Sequence, residues 1–160
     1  METEPSRLQG LDSDLTSFTF KLLHGLLVTR ERMQQLSPRS SALCSLCQDE
    51  ATETLQHALL LCSYNNGAGQ ALLAAVQGHL QEVTPAALLR LELLHIQEED
   101  QLSIVTFISS VLMEIWNKRF NKARIRLYEI RATLEARCQL LRETRFSGVI
   151  QTLTNLVSQF

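Results

Sequence analysis

Three cysteines and a histidine fall within nineteen residues of this chain, in the stretch CSLCQDEATETLQHALLLC from Cys44 to Cys62. Thiolates and imidazole are the ligands zinc prefers, and the spacing Cys-x2-Cys-x9-His-x4-Cys offers four of them: Cys44, Cys47, His57 and Cys62. A Cys-x-x-Cys turn brings two sulfurs onto one ion with little strain, so Cys44 and Cys47 are the better-determined half. His57 and Cys62 are harder to pair. Five residues on an ideal helix are about 140° of rotation and about 7.5 Å of rise, too far apart to share an ion. The helix carrying His57 is therefore expected to stop before Cys62, which should sit on an unwound last turn, and LLCSYNNG supplies the stop.

Four protein ligands close a tetrahedral shell and leave no position for water or substrate. The expected cofactor is one structural Zn²⁺ that ties the loop over 37–53 to the helix of His57. The fourth cysteine, Cys138, stands alone in a charged segment and reads as small apolar filler. A thioredoxin-like redox role would need alternating strands and helices, a pattern that is missing here.

The elements that must position this cluster are helical. Apolar residues make up 45% of the 160 and charged residues 20%, so the chain folds and is long enough to bury a core. Abundant leucine with only 6 Gly and 3 Pro favours an all-α fold: an irregular helical bundle with a zinc-stapled loop and a long, bent C-terminal helical segment. Residues 1–10 read as a flexible tail and 11–160 as one helical domain, with a helix pair and the metal motif over 11–66 and a bundle over 67–160. No stretch approaches the roughly 20 apolar residues that span a bilayer, and METEPSRLQG lacks a leader's basic-then-apolar order. A reducing, intracellular setting follows, nuclear or cytoplasmic, with no membrane and no small-molecule substrate expected.

Periodicity predicts helices over about 13–27, with Asp12, Ser13 or Asp14 as N-cap, and over about 30–36, with Met33 and Leu36 facing inward. Thr52 is the expected N-cap of ETLQHALLL, and further helices follow over 70–82 and from Pro85 to about 90. From Asp100 the apolar pattern runs past Leu140 without Gly or Pro. Periodicity leaves open one helix or two in series; a regular helix of that length would reach about 60 Å, more than a domain of this size spans, so a bend is expected near Asn117 to Asn121. GVIQTLTNLVSQF forms a last helix that docks through Val149, Leu153 and Val157.

Charge is polarised along the chain. Nine basic residues and three acids between Lys118 and Arg145 give +6, while Glu82 to Glu114 carries −5. Arg119, Lys122 and Arg126 would share one face of a continuous helix, and with Lys118 and Arg124 they are the candidates for RNA or DNA contact. Trp116, in register with Leu112 and Ile108, reads as core. His24, His79 and His95 have no carboxylate or nucleophile at a catalytic spacing, and the H-x-E and P-C-x-x-C of zinc deaminases are missing.

The cysteine stretch resembles the zinc-binding domain at the C-terminal end of non-LTR retrotransposon reverse transcriptases. That family's pattern of Cys-x-x-Cys, a short linker, Glu-Ser/Thr, two residues, His, four residues and Cys is filled here by Cys44, Cys47, Glu53, Thr54, His57 and Cys62. Upstream, FTFKLLHGLLVTRERMQQL looks like the family's aromatic-rich helix followed by a threonine and a basic residue. Downstream, IWNKR (Ile115 to Arg119) resembles its Ile-Trp-x-x-Arg segment. The polymerase motif Tyr-x-Asp-Asp is missing from these residues, so the resemblance implies a detached or domesticated C-terminal region without polymerase activity. The leading expectation is a non-enzymatic zinc module that contacts nucleic acid through its basic segment. The alternative is a helical module that docks a protein partner or a second copy through its surface around Leu134 to Phe160.

Overall fold

Ile104, Phe107, Ile108, Val111, Leu112 and Ile115 recur every three or four residues and are all buried, and they make α5 (Glu98–Phe120) the axis of the molecule. Among the positions beside them Ser103, Thr106, Ser109 and Ser110 are buried as well, and so is Met113, so α5 is covered on more than one face. Ser110 Oγ donates to Thr106 O at 2.6 Å, which settles one such hydroxyl inside the helix.

Around that axis the computed structural model places α1 (Ser13–Leu23), α2 (Arg30–Leu36), a five-residue π-helix (His57–Leu61) and a 3-10 turn (Ser63–Asn65). α3 (Ala68–His79), α4 (Pro85–Leu89), α6 (Leu127–Arg142) and α7 (Ser147–Gln159) complete it. The structure describes residues 13–80, 82–92, 98–142 and 147–160. The expected tail over 1–10, the cap at Asp12, His95, and the side chains of His79, Leu140, Val149 and Leu153 lie outside the described residues. Among those described there is no sheet, only an isolated antiparallel bridge between Leu43 and Thr52. Among the described residues no helix is long and apolar enough to cross a membrane.

α5 packs on α7, α1, α3, α6 and the π-helix. Leu156 and Val157 of α7 are buried, and Phe160 meets Phe107 edge-on with ring centroids 6.1 Å apart. Leu134 and Cys138 of α6 join the same core. Of the surface that the sequence offered to a protein partner, Leu134, Leu156 and Val157 are thus turned inward.

Three boundaries differ from the periodic reading, each for a local reason. α1 ends at Leu23, four residues early, because Gly25 takes φ 63° and Leu26 N–H turns back to Lys21 O at 2.8 Å. α2 begins where expected, with Thr29 accepting from Arg32 N–H, but Met33 and Leu36 face solvent and the helix buries none of its residues. The expected bend is a full break. α5 stops at Phe120, Lys122 adopts φ 52°, and Ala123 N–H caps Lys118 O at 2.8 Å, so 121–126 form a connecting loop before α6.

Candidate metal centre

The two halves of the cysteine cluster come from different backbone devices. Cys44 N–H donates to Ala51 O and Glu53 N–H to Ala42 O, both at 2.8 Å, which closes the segment 44–51 into a tight knuckle. Inside it the N–H groups of Leu46 and Cys47 point at the Cys44 sulfur, and that of Asp49 at the Cys47 sulfur. Such N–H groups supply positive potential where thiolates must gather. Thr52 belongs to the bridge, so it is not the expected N-cap. That role falls to Thr54, whose Oγ1 accepts from His57 N–H at 3.0 Å.

As expected, the helix ends before Cys62; what the spacing did not foretell is the form of its last turn. From His57 to Leu61 the helix is π, and Cys62 N–H donates to His57 O at 2.8 Å, a bond across five residues. Closing that wider ring returns Cys62 to the side of His57, and the chain then leaves the helix with Cys62 at φ −64°, ψ 132°. Room for this coil is made by Gly69. A Cβ there would stand 2.4 Å from Leu60 Cα and Leu60 O, so the first turn of α3 lies against the π-helix backbone.

The four ligand atoms of Cys44, Cys47, His57 and Cys62 all lie within 4.8 Å of one another. Cys44 Sγ and Cys62 Sγ are 3.8 Å apart, close to the edge of a tetrahedron with bonds of about 2.3 Å, and no disulfide joins any of the cysteines. Cys47 Sγ is 3.4 Å from His57 Nε2, which suits an edge between a sulfur and a nitrogen ligand. Residues 10–68 match the family of zinc-binding in reverse transcriptase. No curated protein and no solved structure matches the chain. The zinc-binding match covers a little over a third of the residues and contains all four ligands, and together with their geometry it assigns one structural zinc to this site.

Electrostatics fit that assignment. Burial and the adjoining sulfurs of Cys44 and Cys62 push the Cys47 thiol up to about 12, against the pull of Asp49 N–H, so three sulfurs crowd together at low cost only around a cation. Burial raises the Cys44 thiol as well, but the N–H groups of Leu46 and Cys47 and the Arg119 guanidinium outweigh it and the net shift is downward. Desolvation, then the nearby Arg119 charge, lower His57 and keep the imidazole neutral, the form that ligates.

Arg119 is the residue that the sequence misplaced. It was expected on a basic surface, yet its side chain is only 3% exposed and is turned into the metal centre. There it donates to Glu53 Oε2 at 2.6 Å, to Asn65 Oδ1 at 3.0 Å and to Cys44 Sγ at 3.4 Å. Glu53 also accepts from Arg30 N–H at 2.8 Å and so holds the start of α2, while Asn65 donates to Ala58 O at 2.7 Å. Zinc with three thiolates carries one net negative charge, which Arg119 balances from the second layer. The resemblance of IWNKR to Ile-Trp-x-x-Arg was the one sequence signal that linked this arginine to the cysteines, and it lies beyond the matched segment.

The other basic candidates are not on one helix face, because the helix ends before Lys122. Lys118 and Arg126 both pair with Glu129, at 3.3 and 3.1 Å. Lys122 and Arg124 are exposed on the loop 121–126. That loop is fixed by residues just after Cys62: Tyr64 Oη donates to Ala123 O at 2.7 Å and Asn66 Nδ2 to Ile125 O at 3.2 Å, while Ile125 is buried. Trp116 is half-buried against the core, His24 stacks on Phe20 at the surface, and Cys138 is buried.

Proposed function

We propose that this chain is a retroelement-derived, non-catalytic zinc module that contacts nucleic acid through the basic loop 121–126. The observation that carries this reading is the pair of hydrogen bonds from Tyr64 and Asn66 to Ala123 O and Ile125 O, which tie the exposed Lys122 and Arg124 to the residues next to the zinc ligand Cys62. A metal whose shell is filled by protein does no chemistry on a substrate, so its contribution is to hold surfaces in place. Backbone phosphates are the ligands that such cations attract, with an affinity that falls as salt rises. The test is titration of the zinc-loaded chain with labelled RNA and DNA at several salt concentrations. Binding that weakens steeply with salt and is reduced by charge reversal at Lys122 and Arg124 supports the reading, and no binding at low salt rejects it.

A second reading has its own observation. Phe20, Leu23 and Leu26, on and just after α1, are 57, 50 and 45% exposed, an apolar cluster in one short segment that suits a protein partner or a second copy. Mass in solution separates the two: a monomer at all concentrations, unchanged by Phe20→Ser, counts against self-association.

A further inference from the structure

Next to the metal centre a groove of about 320 Å³ opens between the start of α2 and the end of α5. Val28 and Met33 line one side, each more than two-fifths exposed, and Trp116 and Phe120 line the other. Phe120 is 79% exposed on the last turn of α5. Leaving a phenylalanine in water forgoes roughly 1.5–3 kcal/mol of burial, so a ring held out beside a second aromatic is a surface in want of a flat apolar partner.

The charge in the groove narrows what that partner is. Arg30 and Lys122 line it, and neither forms an ion pair with a carboxylate among the described residues. Its one acid, Glu53, is committed to Arg119 and to Arg30 N–H. Exposed aromatic rings flanked by uncompensated cations are the elements that bind single strands: a base stacks on the ring and its phosphates meet the cations. A duplex keeps its bases paired and stacked, and cannot offer their faces.

We propose that this groove holds an unstacked base of a single-stranded nucleic acid, with the ring against Phe120 and Trp116 and the flanking phosphates on Arg30 and Lys122. The inference rests on the nucleic-acid reading above and narrows it to single strands, with little preference among bases because every base has a π-face.

Trp116 is the sole tryptophan of the chain, so its fluorescence reports on the groove. The zinc-loaded full chain is titrated at low salt with oligothymidylate and with a duplex of equal length. The expected result is quenching by the single strand, a loss of about tenfold or more in its affinity in Phe120→Ala, and recovery in Phe120→Tyr. Lys122→Asn, which tolerates the positive φ, should lower the salt dependence by about one phosphate contact. Equal binding of duplex and single strand that is indifferent to Phe120→Ala overturns the groove and leaves the nucleic-acid reading standing. Binding of neither defeats both, and quenching by an acidic peptide alone gives the groove to a protein partner and overturns the proposal.

Discussion

Arg119 and Glu53, sixty-six residues apart in the chain, meet at 2.6 Å with both side chains largely shielded from water. The pair joins the end of the central helix to the zinc knuckle, and it separates two anions: Cys44 Sγ lies 3.6 Å from Glu53 Oε2. Removing the guanidinium would leave a thiolate and a carboxylate facing each other out of water. Arg119→Met should therefore destabilise by about 3–5 kcal/mol, as expected when one partner of a buried pair is removed. It should also speed zinc loss to a chelator. Glu53→Gln added to Arg119→Met relieves the repulsion, so the double variant should be more stable than Arg119→Met alone. Denaturant melts and chelator kinetics on Arg119→Met, on Glu53→Gln alone and on the double variant check this, and an additive double variant would argue against coupling.

Zinc removal should act unevenly. The knuckle, α2 and the π-helix depend on the metal or on Glu53, whereas α5 meets α6 and α7 largely through buried apolar side chains, the Lys118–Glu129 pair aside. A chelator, or Cys47→Ser, should release about one zinc per chain, forfeit up to roughly 10 kcal/mol of binding free energy and expose amides over 29–62 to exchange. Helices α5 to α7 should stay protected. Uniform loss of protection would show instead that the metal stabilises the whole core.

How far this could be read from residue order depends on the range of the interactions. The four ligands were legible because their chemistry and spacing are local, and α5 because burial repeats every three or four residues along it. Thr54 as N-cap and the π-winding after it were not legible, since they turn on which of two nearby threonines joins a bridge and on Gly69 of the next helix, a contact that spacing does not encode. The break after Phe120 was hidden because Lys122 takes a left-handed conformation that glycine usually marks. Arg119 was misassigned for a related reason. Charge alone says surface, and its acceptors on Glu53, Asn65 and Cys44 come from distant segments.

Glu114 gives the molecule a pH signature of its own. Burial raises its carboxyl above the usual range, with Lys118 pulling the other way. A raised native pKa means that the folded state holds the proton more tightly. The group's contribution to stability is present below the unfolded pKa and is lost as pH rises through the folded one. At neutral pH the ionised carboxylate is thus a burden. Glu114→Gln should raise Tm at pH 7, modestly because the side chain is partly exposed and screened, and the gain should fade towards about pH 3, where the carboxyl is protonated in both states. An equal gain at both pH values would point to packing.

Gly69 offers the sharpest test of the π-helix as a positioning device. A methyl group at this position would meet Leu60 Cα and O at 2.4 Å and Leu59 O at 2.7 Å, all backbone atoms that have no rotamer to change. Either α3 moves away or the coil rewinds. Rewinding to the narrower α form would carry Cys62 away from His57, because the bond from Cys62 N–H to His57 O holds them on one side. Gly69→Ala, a change that favours helices at an ordinary exposed site, should here destabilise by about 1–3 kcal/mol, as overpacking does, and lower zinc affinity. Cobalt substitution reads the effect directly. A four-coordinate Co²⁺ site with three thiolates has intense visible bands, and these should weaken or shift in Gly69→Ala while α5 to α7 keep their helical signal. Bands unchanged from those of the unsubstituted chain would mean that the strain is absorbed by α3 and that the π-winding does not set the ligand geometry.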